Sequence, residues 1–205
     1  MNASLMLLLI GLGYLVVFGG MSLLRREGFS VRFAVETIAV TLLLIVFNEF
    51  TKIRIQPVVF LILLYLVTMR VRLGIDLANS FARRGNYATA ERLYALSGKL
   101  GADANARQLI RLNQATSRLQ QGQAETAVQW LRELLQDGAQ QGISRKNEAA
   151  CHYNLGVAYR RLNREAEATV EFNAAIDISP VSEIARRAAA ALKHGREQSS
   201  VKPAG

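Results

Sequence analysis

The sequence predicts an all-α chain, with about three apolar helices at the N-terminus followed by a short helical solenoid. Three observations carry this expectation. Hydrophobic residues make up 51% of the 205 positions and crowd into the first 70. The rest is rich in Ala, Gln and Arg, with small and apolar residues at helical spacing. One pattern of small and aromatic residues also occurs three times, most regularly over Ala149–Pro180.

The apolar runs come first. Leu5 to Leu24 is twenty residues without a charge, the length a helix needs to cross a bilayer core. No basic residue precedes it, and Arg25-Arg26 follow it where a cleaved signal peptide would have small residues. Basic residues on that flank predict Met1 outside and Arg25 in the cytoplasm. Gly11, Gly13, Gly19 and Gly20 are read as ordinary glycine usage in a membrane helix, with close helix contact as the alternative. Phe33 to Phe47 is the second run. Arg32 and Glu36 sit four residues apart at its start, which suits an interfacial ion pair rather than a buried functional carboxylate. Pro57 to Met69 is the third run and reaches only about 20 Å as a helix. Extension to Ile53 and Leu73 closes the gap, with Lys52, Arg54, Arg70 and Arg72 snorkelling at the ends. Asn48 to Gln56 is the expected turn. The anchor is therefore residues 1–70, with spans near 5–24, 33–48 and 55–70. Three crossings, or one crossing and a re-entrant hairpin, leave the remainder in the cytoplasm. The expected location is the inner (cytoplasmic) membrane, multi-pass.

Ala149–Pro180 reads as two helices. Leu155, Gly156 and Tyr159 recur on the first, Ala168, Phe172 and Ala175 on the second, and Pro180 stops the second. These residues resemble the tetratricopeptide repeat (TPR): Leu155-Gly156, Tyr159, Ala168, Phe172 and Pro180 fill its slots, and His152 stands where the pattern has Trp. The resemblance is to a membrane-anchored protein of the bacterial TPR type. In it, Gly156 and Ala168 allow close backbone approach. A first unit shows Leu77-Ala78, Phe81, Gly85-Asn86-Tyr87, Ala90, Tyr94 and Ser97. A weaker middle unit, about Gln108–Asp137, shows Ala115, Gly122, Ala127, Leu131 and Leu134, with Gln114 in the Leu slot and Arg118 in the Tyr slot. Loops are expected at Gly98–Asn105 and Asp137–Arg145. The TPR-like solenoid spans 71–195. The third span is expected to continue into the first repeat helix and hold the solenoid at a fixed angle. Ser182 is placed to cap a last helix, Glu183 to His194, that covers the final apolar surface with a basic face of Arg186, Arg187 and Lys193. Gly195 would end it, and 196–205 would be a disordered tail.

Charge and motif content narrow the function. The net charge of +9 divides as +2, +3 and +4 over residues 1–56, 57–104 and 105–205, which suits an anionic membrane face and does not argue for nucleic acid. Cys151 is the single cysteine, and His152 and His194 are the only histidines, so an intramolecular disulfide and a Cys/His zinc cluster are excluded. Cys151 and His152 point about 100° apart on a helix, so a thiol nucleophile is disfavoured. No phosphate loop, metalloprotease or nucleophile-elbow motif occurs, and neither enzymatic activity nor a cofactor or metal is expected. Glu165, Glu167 and Glu171 read as a solvated surface.

The TPR resemblance implies a concave groove, lined by the first helix of each repeat, that takes an extended peptide or a helix. By the matches above it would contain Asn79 and Arg83, then Leu109, Leu112, Asn113 and Thr116, then Tyr153, Asn154, Val157, Arg160 and Arg161. A carboxylate clamp is not expected, because only Asn79 and Asn113 fit it. Ile75, Ala150 and Asn154 stand where the clamp has Lys or Arg. Arg160, Arg161 and Arg164 read as a solvated turn ahead of contacts to an acidic partner or lipid head groups. The expected function is a membrane-anchored adaptor or scaffold that binds a protein at the cytoplasmic face, in assembly of a membrane complex. The alternative is an accessory subunit acting through its spans. The expected partners are a protein in the groove, other membrane subunits, and lipid.

Overall fold

A computed structural model describes residues 3–24, 31–51 and 54–201. All regular structure among them is α-helical. The elements are α1 (Ala3–Leu24), α2 (Val31–Thr51), α3 (Pro57–Arg83), α4 (Tyr87–Lys99), α5 (Ala104–Gln120), α6 (Ala124–Gln141), α7 (Arg145–Arg161), α8 (Glu165–Ile178) and α9 (Glu183–Val201). The chain divides into two compact units, Met1–Gly74 and Ile75–Gly205. Helix α3 runs unbroken through Met69–Ile75.

Ser4–Met21, Val31–Thr51 and Pro57–Arg83, the last running from the first unit into the second, lie on helices long and apolar enough to cross a membrane. Their apolar side chains point outward: Val16, Leu43 and Val58 are 71%, 66% and 65% exposed. Such a surface suits a lipid solvent rather than water. Leu7, Tyr14, Phe60 and Leu64 form the interior. The Tyr14 hydroxyl meets Thr68 Oγ1 at 2.8 Å, linking α1 to α3. Thr37, Thr41 and Thr68 donate to the carbonyls four residues back, so their hydroxyls cost little in an apolar setting.

Two readings of this region change. Gly11 is a contact glycine, because a Cβ there would lie 2.5 Å from Thr41 Oγ1 on α2. Gly13 and Gly20 have open space around that position. The expected turn does not begin at Asn48: α2 runs on to Thr51. Asn48 is buried, and its Oδ1 accepts from the Ile55 backbone N–H at 3.3 Å, so its side chain serves the returning chain from inside the helix.

The second unit begins with Ile75–Arg83 of α3 and continues through α4 to α9. Three of its turns are built alike. Gly85, Gly122 and Asn163 take φ of 77°, 82° and 57°, the left-handed region in which glycine and asparagine are the tolerated residues. In each turn the next backbone N–H reaches back to the last turn of the preceding helix: Asn86 to Phe81, Gln123 to Arg118, Arg164 to Tyr159. The following helices then present buried residues in the same order. Ala90, Tyr94 and Ser97 on α4 correspond to Ala127, Leu131 and Leu134 on α6 and to Ala168, Phe172 and Ala175 on α8. Ala78, Ala115 and Gly156 are the buried small residues facing them. Gly156 is small for a reason the sequence did not show: the Phe172 ring lies against it, 2.6 Å from where a Cβ would stand.

Hydrogen bonds give the directions of the helices. Gln108 in the first half of α5 donates to the Gly142 carbonyl at the end of α6 at 2.7 Å. Arg145 at the start of α7 donates to the Ile178 carbonyl at the end of α8. Each pair is therefore antiparallel. Asn154 on α7 donates to Thr116 on α5, and α9 packs on both α7 and α8. Thus α5, α7 and α9 run side by side in one direction, α9 standing where the first helix of a further pair would be.

Several helix ends differ from expectation. The loops at Gly98–Asn105 and Asp137–Arg145 are shorter, because α4 reaches Lys99, α5 starts at Ala104 and α6 reaches Gln141. Gly138 lies inside α6, where Ile143 folds over it and leaves no room for a Cβ. Asp103 and Ser144 cap α5 and α7, and Ser182 caps α9 as expected. Helix α9 does not stop at Gly195 but runs to Val201. The expected tail thus overlaps its last turns, and 202–205 lie outside the described residues.

Candidate partner-binding face

The eleven groove candidates do not share one fate. Leu112 is 5% exposed and belongs to the core, and Leu109 packs against that core. An apolar residue one position from the lining face is turned inward by the helical period, which removes Leu112 from any binding surface. Asn79 accepts a hydrogen bond from the Tyr94 hydroxyl at 2.5 Å, so it secures α4 on α3. Burial, with Glu91 nearby, pushes the Tyr94 phenol up to about 12. Arg83 is exposed at the end of α3, and Asn113 is half-buried on α5. Thr116 and Asn154 are joined to each other at 3.2 Å and tie α5 to α7.

The arginine cluster separates in space. Arg160 donates to the Ala191 carbonyl on α9 at 2.9 Å, pairs with Glu165 at 3.3 Å and lies 4.9 Å over the Phe172 ring. Arg161 donates to the Leu119 carbonyl near the end of α5. Arg164 pairs with Glu167 and covers the Tyr159 ring at 4.7 Å. Guanidinium groups suit this work, since their planar fork meets carbonyl oxygens while stacking on aromatic faces. Arg160 is half-buried in these contacts, whereas Arg161 and Arg164 remain exposed as a solvated turn would have them, and Arg160 and Arg161 reach to opposite sides of α7. The glutamates are also engaged. Glu165 and Glu167 face arginines, and Glu171 meets His152 Nδ1 at 2.6 Å.

Tyr153, Val157, Arg160 and Arg161 come together. They line a pocket of about 520 Å³ within the second unit, with Phe172 on α8 and with Arg187, Ala190, Ala191 and His194 on α9. Its floor is aromatic and aliphatic, the Tyr153 and Phe172 rings lying 5.8 Å apart. Its rim is basic. The α9 residues were missed because that helix was read as a cover. Their signal was present in the sequence: Ile184, Ala185, Ala188, Ala191 and Leu192 follow helical periodicity and seat the helix, and that seating places Arg187 and Ala190 beside the floor.

Cys151 is fully buried. Burial, reinforced by Glu148, pushes its thiol up to about 12, which makes it a packing residue and a poor nucleophile. Among the described residues, no group of three or more His, Cys, Asp or Glu is arranged to hold a metal.

No protein-family model matches the chain, and no curated protein matches it.

Proposed function

We propose that the chain is a membrane-anchored adaptor of the TPR type, with a short solenoid after its apolar helices that binds a protein partner on the face of its first helices. In this reading the anchor is multi-pass in the inner membrane, the solenoid is cytoplasmic, and the partner is a component of a membrane complex being assembled. The three like-built turns support the repeat reading. Gly85, Gly122 and Asn163 recur with matching backbone hydrogen bonds and matching buried residues, although the middle unit has lost most of the sequence pattern. The basic flank of the first apolar run supports the cytoplasmic side.

The observation that carries the binding role is the pocket. At the α7–α9 end, side chains of that face surround open space. The test uses the full-length protein in native membranes, with co-purifying proteins quantified by mass spectrometry. Asn113→Trp and Val157→Trp fill the face, whereas Val170→Trp adds the same bulk on the exposed side of α8. Loss of one partner with the first two and retention with the third is the expected result. A partner retained by both, but lost when lipid-facing Leu43 becomes Trp, would establish the accessory-subunit function instead.

A further inference from the structure

The α7–α9 pocket joins an apolar floor to a rim whose positive charge is not balanced among the described residues. Val157, Tyr153 and Ala190 offer carbon surface. Arg160 is neutralised by Glu165. Among the described residues Arg161 has no carboxylate partner; its contact is with the Leu119 carbonyl, which leaves most of its five N–H donors unused. Arg187 shares the single carboxylate of Glu183 with Arg186, so one of those two charges remains uncompensated. No Asp or Glu is found among the lining residues.

We infer that this pocket takes a protein segment in which an apolar side chain is flanked by carboxylates, the apolar group seated on Tyr153 and Val157 and the carboxylates against Arg161 and Arg187. The inference rests on the adaptor reading and names the chemistry of its partner. A pocket of this size accommodates one or two large side chains, and its lining is carbon-rich. A lipid head group would satisfy the arginines and leave that floor unfilled. A guanidinium meets a carboxylate through two parallel hydrogen bonds, which gives direction as well as charge attraction. Helix α9 is then one wall of the binding site as well as the cover of the solenoid.

The test measures fluorescence anisotropy with full-length protein in detergent micelles. The probe is a short labelled peptide with Phe flanked on both sides by Glu. Its comparators replace Glu by Gln or by Lys, and glycerol phosphate serves as the lipid head-group arm. The acidic peptide is expected to bind at least about tenfold more tightly than the Gln form, with an affinity that falls as salt is raised. Arg187→Glu and Ala190→Trp alter exposed positions on α9, one changing charge and the other filling space. Each is expected to weaken the acidic peptide at least about tenfold, while Val170→Trp leaves it unchanged. Equal binding of the Glu and Gln peptides overturns the inference. So does displacement by glycerol phosphate without discrimination among peptides, and so does indifference to both α9 variants. The two levels fail separately. A native partner lost with Asn113→Trp but kept with Ala190→Trp ends the pocket proposal and leaves the adaptor standing. A partner kept by every variant on the first-helix face ends the adaptor reading itself.

Discussion

Substituting Gly156 by alanine probes the packing that defines the second unit. An added Cβ would lie 2.6, 2.7 and 2.9 Å from three carbons of the Phe172 ring. Phe172 is fully buried, with Tyr153 5.8 Å away on one side and the Arg160 guanidinium at 4.9 Å on another, so any shift of the ring disturbs these contacts. Overpacking of this kind costs about 2–3 kcal/mol, the upper part of the usual range, because three contacts are violated at once. Alanine recovers about 1 kcal/mol through its higher helix propensity. The net loss is about 1–2 kcal/mol, or roughly 3–10 °C in the unfolding midpoint of a unit this size. Trp130 is the only tryptophan in the chain and lies in this unit on α6, so its fluorescence reports the unit's unfolding without interference from the apolar helices. Gly98→Ala is the internal comparison. That glycine lies on α4 with nothing within 4 Å of a Cβ, so alanine there is expected to raise the midpoint, by up to about 1 kcal/mol. Gly156→Ala combined with Phe172→Leu should recover part of the loss. If Gly156→Ala stabilises the protein as much as Gly98→Ala does, the close packing of α7 on α8 is refuted.

Other expectations follow from single contacts. Cys151, the only thiol, should resist a disulfide reagent at neutral pH and react on denaturation; rapid reaction in the native protein would contradict its burial. Cys151 and Tyr94 stay protonated in the fold up to about 12, against ordinary values of 9.0 and 10.0. Unfolding in that window releases protons, so stability from these groups is constant below pH 9.0 and falls as pH rises toward 12. The Trp130 unfolding midpoint measured against pH should show the decline, with a shallower onset in Cys151→Ala. In the first unit, Glu36 accepts from Arg70 at 2.7 and 2.8 Å and from Arg32 at 2.8 Å. Glu36→Gln leaves both guanidinium groups without their carboxylate and should cost about 1–3 kcal/mol, since the groups are only partly covered. Faster hydrogen exchange across α2 and α3 is the readout, and unchanged exchange would show that the cluster does not hold them together. Removal of the α5 cap by Asp103→Ala should cost about 1 kcal/mol, seen as a lower midpoint in the same fluorescence assay.

The apolar helices and the three helix pairs were legible because their signals are local. An uninterrupted apolar run, a glycine at a turn and small residues at helical spacing each leave a mark within a few positions. Two glycines misled. Gly98 and Gly138 were read as loop, yet one lies on an exposed helix face and the other under Ile143, a contact that depends on where the chain goes after the helix. The arginines of α7 misled more. Nothing in Arg160-Arg161 says that one will find a carbonyl on α9 and the other a carbonyl on α5, because both partners are distant in sequence. The same holds for Glu36. Its pairing with Arg32 was expected from the spacing of four, whereas its two bonds to Arg70 required the return of α3. Leu112 left the proposed groove because the helical period turns it into the core, and Asn79 has a second task in holding Tyr94. The groove assignment missed Arg187 and Ala190 because α9 lacks the repeat's recognisable residues while occupying its place.

The central claim is that the first-helix face, and not the apolar helices, holds the partner. A photoreactive residue placed singly at Val157, at Val170 or at Leu43 of the full-length protein in native membranes tests it in one gel. The expected result is a protein adduct from Val157, none from Val170, and only lipid adducts from Leu43. A protein adduct from Leu43 with none from Val157 would contradict it.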